Sequence, residues 1–225
     1  SFLCINFDAP VIKEAASWFL DGVFLNYNSS YLEQMLEQLL DEDDSLEITR
    51  FLRAVDVRID GFRVEKAPEW RGQRVFVKHE VDGKGYELRL SEESAGTQKL
   101  MGLASFLLAA LERGGTVVVD ELDAKLHPKL LRYVILLFKD PEVNKSGAQL
   151  IFSSQDVSTM RNDVFRRDEI WFAARGEGEA SQLWSLADIH EANGNLVSKN
   201  AAFDKQYLSG RYGADPYLTC IEEWD

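Results

Sequence analysis

The feature that most constrains the fold is an uninterrupted run of β-forming residues, Thr116–Val119, which directly precedes two carboxylates. The run has no charged residue at alternate positions, so it does not suit a strand with one face in water. Apolar residues recur at helical spacing on either side, at 100–111 and 127–138, and a second apolar strand is predicted at 149–153. Helices between buried strands are typical of an α/β core with a parallel or mixed sheet.

The N-terminal quarter has a helical period instead. Apolar residues from Val11 to Val23 predict one helix, which ends where residues 26–30 break the pattern; a second is predicted at 30–40 and a third at 45–54. The acidic run at 41–44 is interpreted as a solvent-exposed turn between the last two helices, without an assigned function. We therefore expect a helical segment, 1–56, followed by an α/β lobe, 57–225.

Alternating apolar residues within the lobe predict antiparallel strands at 57–64, 74–81 and 86–90, with a turn at Asp82-Gly83. Two further strands are predicted at 169–174 and 182–186. The aromatic residues near the C-terminus either pack on the lobe, which is the favoured interpretation, or form a docking surface. They are Tyr207, Tyr212, Tyr217 and Trp224.

Composition excludes some classes of protein. With 38 acidic and 25 basic side chains the formal charge is −13, so nucleic acid contact would need a local basic patch or another subunit. No apolar run approaches the roughly 20 residues of a membrane helix. The first residues lack an initiating Met and a basic region, which suggests a trimmed chain rather than a signal peptide. Together with the two cysteines, expected to be reduced, this favours a cytoplasmic protein.

The two carboxylates that end the central strand, Asp120 and Glu121, are the main candidates for chemistry. A buried strand can direct Asp120 at the water shell of a magnesium ion, while Glu121 faces an attacking water as a general base. An acidic turn of purely structural origin is the alternative. His79 and His190 have no partner at zinc-ligand spacing, so no zinc site is predicted.

A small turn, Ser94-Ala95-Gly96, precedes the helix at 100–111. The hydroxyl and the free amides of a helix N-terminus can bind an anion, and glycine allows a phosphate to approach the backbone. An ordinary capped helix is the alternative. Asp123 and Leu126-His127-Pro128 follow the carboxylates, and Gln155 follows the strand at 149–153.

Along the chain these four elements are the Ser94 turn, the Asp120-Glu121 pair, the segment from Asp123 to Pro128, and Gln155. Their order resembles that of the C-terminal half of an ABC-type ATPase head, in the branch that includes SMC proteins, overcoming-lysogenization-defect ATPases and bacterial antiphage ATPases such as the PtuA subunits. The resemblance runs from about residue 56 to residue 218. It implies a P-loop NTPase fold of ABC type with ATP and Mg²⁺ as cofactors. The implied site has Ser94, Ala95 and Gly96 as signature motif, Asp120 and Glu121 as Walker B pair, and Asp123 in the following loop.

Two departures qualify the resemblance. No GxxxxGKS/T occurs in the 225 residues, so the loop that cradles the phosphates, with the first strand and helix of the fold, must lie elsewhere. Gln155 aligns with the family's switch histidine; glutamine can hydrogen-bond the γ-phosphate or the attacking water, but it cannot shuttle a proton.

Three functions follow as hypotheses. The first is an ATPase subunit that dimerises around ATP and controls an effector, expected to be a nuclease, in bacterial antiphage defence, with nucleic acid reached through that partner. The second is a scaffold that binds nucleotide or partner without turnover. The third, ranked last, is a Toprim-type nuclease that uses Glu121 and Asp123 to bind magnesium.

Overall fold

The computed structural model describes residues 16, 18–19, 22–26, 42–55, 57–66, 73–175, 180–191 and 193–214. The chain divides into two compact units, Ser1–Gln155 and Asp156–Asp225. In chain order, the described elements of the first unit are β1 (Val23–Asn26), α1 (Glu42–Ala54), β2 (Gly61–Lys66), β3 (Gln73–Val81), β4 (Lys84–Arg89), α2 (Ala95–Arg113), β5 (Thr116–Val119), α3 (Pro128–Lys139) and β6 (Gln149–Phe152). Those of the second unit are β7 (Trp171–Arg175), β8 (Ser181–Ser185) and α4 (Phe203–Leu208).

A parallel sheet in the order β1-β5-β6 forms the centre of the first unit. The strand β5 begins and ends where the sequence predicts, and Val117 in its middle is completely buried. Helix α2 presents fully buried side chains, among them Leu103 and Leu107, to the core. Parallel and antiparallel strands occur together with helices, so the predicted mixed α/β fold class is confirmed.

The strand β1 corrects the predicted N-terminal helix. Val23–Asn26 pairs in parallel with Thr116–Val119, and the N–H of Thr116 donates to the carbonyl of Gly22 (2.7 Å). Pairing with a buried strand satisfies backbone groups that would otherwise be costly to bury, and this tertiary contact overrides the helical spacing of Val23. The segment 1–56 is therefore not entirely helical; its status as a separate domain stays a prediction.

The structure also corrects the interpretation of the acidic run at residues 42–44. Glu42–Ala54 is one helix, so Glu42, Asp43 and Asp44 form its first turn rather than an exposed loop. Acidic residues in the sequence are typical of the first turn of a helix, a signal that the interpretation as a turn did not use. The helix predicted at 30–40, together with Cys4 and Cys220, lies outside the described residues.

The predicted antiparallel sheet is confirmed, in the order β2-β3-β4. The turn between β3 and β4 has positive φ at both Asp82 (53°) and Gly83 (74°), as a tight hairpin of this handedness requires. The strand predicted at 57–64 begins only at Gly61 and continues to Lys66.

The second unit has a small aromatic core beside the hairpin β7–β8. Phe172 stacks on Tyr207 with ring centroids 5.7 Å apart, and Tyr212 is 4% exposed. Burial raises the pKa of Tyr212 to about 12, and its hydroxyl donates to Gln206 Oε1 (2.7 Å). Tyr207 and Tyr212 therefore pack within the second unit, which belongs to the predicted lobe, as the favoured interpretation expects; Tyr217 and Trp224 lie outside the described residues.

Among the described residues, none of the helices combines the length and the apolar character that a membrane crossing needs.

Candidate functional site

The carboxyl ends of β5 and β6 meet at Asp120 and Ser153. The Ser153 hydroxyl donates to Asp120 Oδ1 (2.5 Å), and the Ser153 N–H donates to the carbonyl of Val119 (3.1 Å). Asp120 is an exposed residue directly after a buried strand. One carboxylate oxygen thus has a fixed hydrogen bond, while the group as a whole faces solvent.

The same hydroxyl also fixes Glu121, because the Glu121 N–H donates to Ser153 Oγ (2.8 Å). Glu121 has a φ of +49°, in the left-handed region that a non-glycine residue adopts at a cost of about 1 to 3 kcal/mol. The next N–H, of Leu122, donates to the carbonyl of Ser153 (3.0 Å), and Leu122 is completely buried. Ser153 and Leu122 therefore hold the strained turn that presents the exposed Glu121 side chain.

Residues 121–126 form consecutive turns after β5, which we call the carboxylate loop. The N–H of Ala124 donates to the carbonyl of Glu121 (3.0 Å), and the N–H of Leu126 donates to the carbonyl of Asp123 (3.0 Å). Asp123 Oδ1 is buried and has no hydrogen-bond partner within the part of the chain that the structure describes. A buried carboxylate oxygen in this state is costly, so it is a feature that a bound group or a loop rearrangement could satisfy.

The Ser94 turn caps α2. Ser94 Oγ accepts from the N–H of Thr97 (3.1 Å) and shares a hydrogen bond with the Thr97 hydroxyl (2.8 Å). This is the capped helix considered as the alternative in the sequence, and it leaves Ser94 and Ala95 exposed at the surface.

Gly96 is required by the carboxylate loop. A Cβ at this position would lie 2.8 Å from the carbonyl oxygen of Lys125, closer than a real Cβ approaches a backbone atom. The sequence predicted that glycine here admits a phosphate. That role stays a prediction; the structure shows the close approach of the loop, whose residue Lys125 itself has a φ of +63°.

Lys99 makes the second link between α2 and the carboxylate loop. Its Nζ donates to the carbonyl oxygen of Glu121 (2.5 Å). Burial lowers the pKa of Lys99, against the opposing effect of the nearby carboxylates of Asp123 and Glu121. The structure thus brings five of the predicted site residues to one side of the unit. Two belong to α2 and its cap, and three to the end of β5 and the carboxylate loop: Ser94, Gly96, Asp120, Glu121 and Asp123.

Gln155 lies three residues beyond the end of β6 and is exposed. Its predicted role at the switch position stays a prediction. His127 caps α3, with its Nδ1 accepting from the N–H of Lys129 (3.1 Å) and Pro128 in the first turn.

Sequence reasoning missed three residues of this region. Ser153 and Lys99 act through contacts 32 and 22 residues apart in the chain, which no local pattern reveals. The third is His79 on β3, whose Nε2 lies 2.6 Å from Glu93 Oε1 beside the Ser94 turn, while its Nδ1 lies 3.0 Å from the carbonyl of Arg58. Ser153 stands at the end of one predicted strand, and the other predicted strand of this core ends in Asp120 and Glu121. A hydroxyl at such a strand end is the signal that could have indicated Ser153.

The implied Mg²⁺ fits this arrangement. Within the described residues, no group of three or more His, Cys, Asp or Glu side chains could hold a metal ion by itself. Mg²⁺ commonly binds through one or two carboxylates together with substrate phosphates and waters. Asp120, exposed and with only one oxygen fixed by Ser153, is suited to that role.

The site thus consists of a buried parallel strand that ends in an Asp-Glu pair, next to a second strand end whose Ser153 contacts both residues. Residues 4–161 match the family model described as "AAA domain, putative AbiEii toxin, Type IV TA system". The match spans more than two thirds of the chain, so the chain belongs to this family, and the predicted resemblance to an ATPase head is confirmed at that level.

Two solved structures are similar to the chain. One, from work on ATP-driven dimerization and DNA-stimulated activation of SMC ATPases, shares 16% identity, covers 68% of this chain and 88% of its own, and has a TM-score of 0.46. The other, an SMC head bound to the C-winged helix domain of ScpA, shares 18% identity, covers 64% of this chain and 42% of its own, and has a TM-score of 0.44. No curated protein matches the chain.

The arrangement of Ser153 gives a first prediction. Replacing Ser153 with Ala removes the hydrogen bonds to Asp120 and to the N–H of Glu121, so the magnesium-dependent ATP turnover expected from the sequence should fall about 10- to 100-fold, as for loss of an orienting partner. Steady-state hydrolysis by the full-length protein measures this. Ser146→Ala, which removes a comparable hydroxyl bond to the carbonyl of Glu112, is the control. Equal turnover in the two variants would show that Ser153 does not position the pair.

Proposed function

We propose that the protein is an ABC-type ATPase subunit, which binds and hydrolyses ATP between two heads and controls an effector partner. One observation carries the proposal: the Ser153 hydroxyl fixes Asp120 and Glu121 together at the carboxyl end of the central strand. In open α/β sheets, ligands bind at such strand ends. The packing of α2 against the carboxylate loop through Gly96 and Lys99 supports it.

The residues have separate roles in this proposal. Asp120 would hold Mg²⁺, which neutralises phosphate charge when bound with ATP. Glu121 accepts a proton from the water that attacks the γ-phosphate, for which its exposed carboxylate is suitable. Its backbone is fixed on both sides of the Cα atom, so the direction in which its side chain leaves the turn is defined.

Binding of the triphosphate is shared between heads. Since GxxxxGKS/T does not occur in these 225 residues, the phosphates are cradled by a segment outside them. Ser94, Ala95 and Gly96 serve the ATP bound to the opposite head, and the exposure of Ser94 and Ala95 at the start of α2 suits contact across a dimer interface. Asp123 lies in the adjoining loop, where its buried Oδ1 has no hydrogen-bond partner among the described residues.

The product of such an ATPase is a conformational change, so a partner must use it. We propose a nuclease as effector in a cytoplasmic antiphage system, with nucleic acid contacted through that partner. The formal net charge of −13 favours indirect contact with nucleic acid. The family description, which names a toxin, is consistent with an effector function.

A scaffold without turnover is the second candidate, favoured by Gln155 at the switch position. The Toprim-type nuclease stays the candidate ranked last. It needs clustered carboxylates around magnesium, and within the described residues no group of three or more His, Cys, Asp or Glu side chains could hold a metal ion by itself.

ATP binding and hydrolysis by the full-length protein test the proposal. We expect magnesium-dependent release of phosphate that rises more than linearly with protein concentration, because two heads form each site. Binding without release would select the scaffold. Magnesium-dependent cleavage of nucleic acid by this protein alone, without ATP binding, would select the nuclease and overturn the ATPase proposal.

Gln155 gives a further prediction. If its amide contacts the γ-phosphate or the attacking water, Gln155→Ala should lower turnover by a factor that corresponds to one hydrogen bond, about 1 to 3 kcal/mol, while Gln155→His retains or raises it. Both variants should fold normally, because Gln155 is exposed. Steady-state hydrolysis is the measurement, with the exposed Gln182→Ala as control. Equal rates in all four proteins would make Gln155 a bystander.

A further inference from the structure

The hydrogen bond of Lys99 goes to the backbone of the proposed general base. It lies on α2, five residues after the capping Ser94, and its Nζ donates to the carbonyl oxygen of Glu121 (2.5 Å). Placing a half-buried ammonium group here carries a desolvation cost, which is the first cause of its lowered pKa. A lysine that only needed solvent would extend away from this position.

The contact completes the fixation of Glu121. On one side of its Cα, the N–H donates to Ser153 Oγ; on the other, the carbonyl accepts from Lys99 Nζ and from the N–H of Ala124. These bonds hold both peptide groups that define the φ and ψ of Glu121, whose φ of +49° is unfavourable without support. Strained backbone of this kind persists only where its surroundings determine it.

The opposite end of the carboxylate loop meets the same helix. The carbonyl of Lys125 approaches Gly96 so closely that no Cβ fits between them. The N-terminal turns of α2 therefore touch the loop at two points, through Gly96 and through Lys99. A shift of the Ser94 turn would move these contacts together, because all three residues belong to one helix and its cap.

We infer that Lys99 is a positioning residue, which fixes the proposed general base Glu121 to the helix that carries the Ser94 turn. The inference rests on the proposed ATPase function. With Ser94 facing the ATP of the opposite head and Glu121 serving its own, Lys99 links the two nucleotide sites of a dimer within one chain. Binding at one site thereby alters the placement of the carboxylate at the other.

Three variants of the full-length protein test this role. Lys99→Met keeps the length of the side chain and removes the donor, Lys99→Arg keeps a donor and the charge, and Lys129→Met makes the same change at an exposed lysine on α3. We expect Lys99→Met to lower kcat by at least about 10-fold with KM changed less than about twofold, since misplacement of a reacting group affects chemistry more than binding. Lys99→Arg should restore most of kcat, and Lys129→Met should match the wild type.

Hydrogen exchange of the backbone amides of residues 120–126, measured without nucleotide, separates the inference from the function it rests on. The amides should exchange faster in Lys99→Met and normally in the two other variants. Faster exchange with a wild type that never hydrolyses ATP would support positioning and overturn the ATPase proposal. A hydrolysing wild type with unchanged kcat and exchange in Lys99→Met would overturn the inference alone.

The inference also predicts rescue by the conservative change. If Lys99→Met does not fold, Lys99→Gln is compared with Lys99→Arg instead. Lys99→Gln keeps a hydrogen-bond donor on a shorter side chain. Loss of kcat in the first and its retention in the second support positioning. Equal kcat in these two variants, at wild-type level or at an equally reduced level, would overturn it.

Discussion

Replacing Glu121 with Gln is expected to abolish ATP turnover in the full-length protein while ATP binding persists. The amide preserves the shape of the side chain but cannot accept the proton of the attacking water, and loss of a general base lowers rates about 10²- to 10⁴-fold. Folding should be unaffected, because the described contacts of Glu121 with Ser153 and Lys99 use its backbone N–H and carbonyl rather than its carboxylate. Without hydrolysis the ATP-bound dimer should accumulate.

Two measurements check this outcome. Steady-state phosphate release gives the turnover, and light scattering after size-exclusion chromatography with ATP and magnesium gives the fraction of dimer. Glu142→Gln makes the same chemical change at an exposed glutamate beyond α3 and should behave as the wild type. Turnover by Glu121→Gln within error of Glu142→Gln would remove Glu121 from catalysis.

The parts of the fold that depend on local pattern could be predicted from the sequence. The strand Thr116–Val119 has its predicted bounds because an apolar run between glycines and carboxylates leaves no other choice. The hairpin at Asp82-Gly83 has its predicted turn because both residues tolerate positive φ. His127 and Pro128 begin α3 as their chemistry at a helix N-terminus requires.

The parts that depend on distant contacts could not be predicted. Val23 has helical spacing to its neighbours, and only its pairing with β5 makes it part of a strand. The dual role of the Ser153 hydroxyl depends on the register of β5 and β6, which aligns Val119 with Phe152 and so places the two strand ends together. The loop carbonyl that explains Gly96 belongs to Lys125, 29 residues along the chain.

Replacing Ser94 with Arg is expected to block ATP-driven association of the heads, the second largest effect that the proposal predicts. Ser94 is exposed at the start of α2, where the proposed partner head brings a triphosphate. A long side chain at this position would occupy the space of the opposite nucleotide and prevent close approach, although its charge alone would attract phosphate. ATP binding to an isolated head should persist, because that contact acts only across the interface.

Loss of the helix cap must be separated from this effect. Ser94 Oγ accepts from the N–H of Thr97, and removal of such a cap costs about 0.5 to 2 kcal/mol in any variant. Ser94→Ala loses the cap without added bulk, so it should show the same decrease in thermal stability as Ser94→Arg but retain more association. Ser91→Arg adds the same charge and length at an exposed serine three residues earlier and should associate normally. Sedimentation velocity with ATP and magnesium, on the Glu121→Gln background to prevent turnover, ranks the four proteins. Association of Ser94→Arg equal to that of Ser91→Arg would place the Ser94 turn outside the interface, and the shared site between two heads would then have to be abandoned.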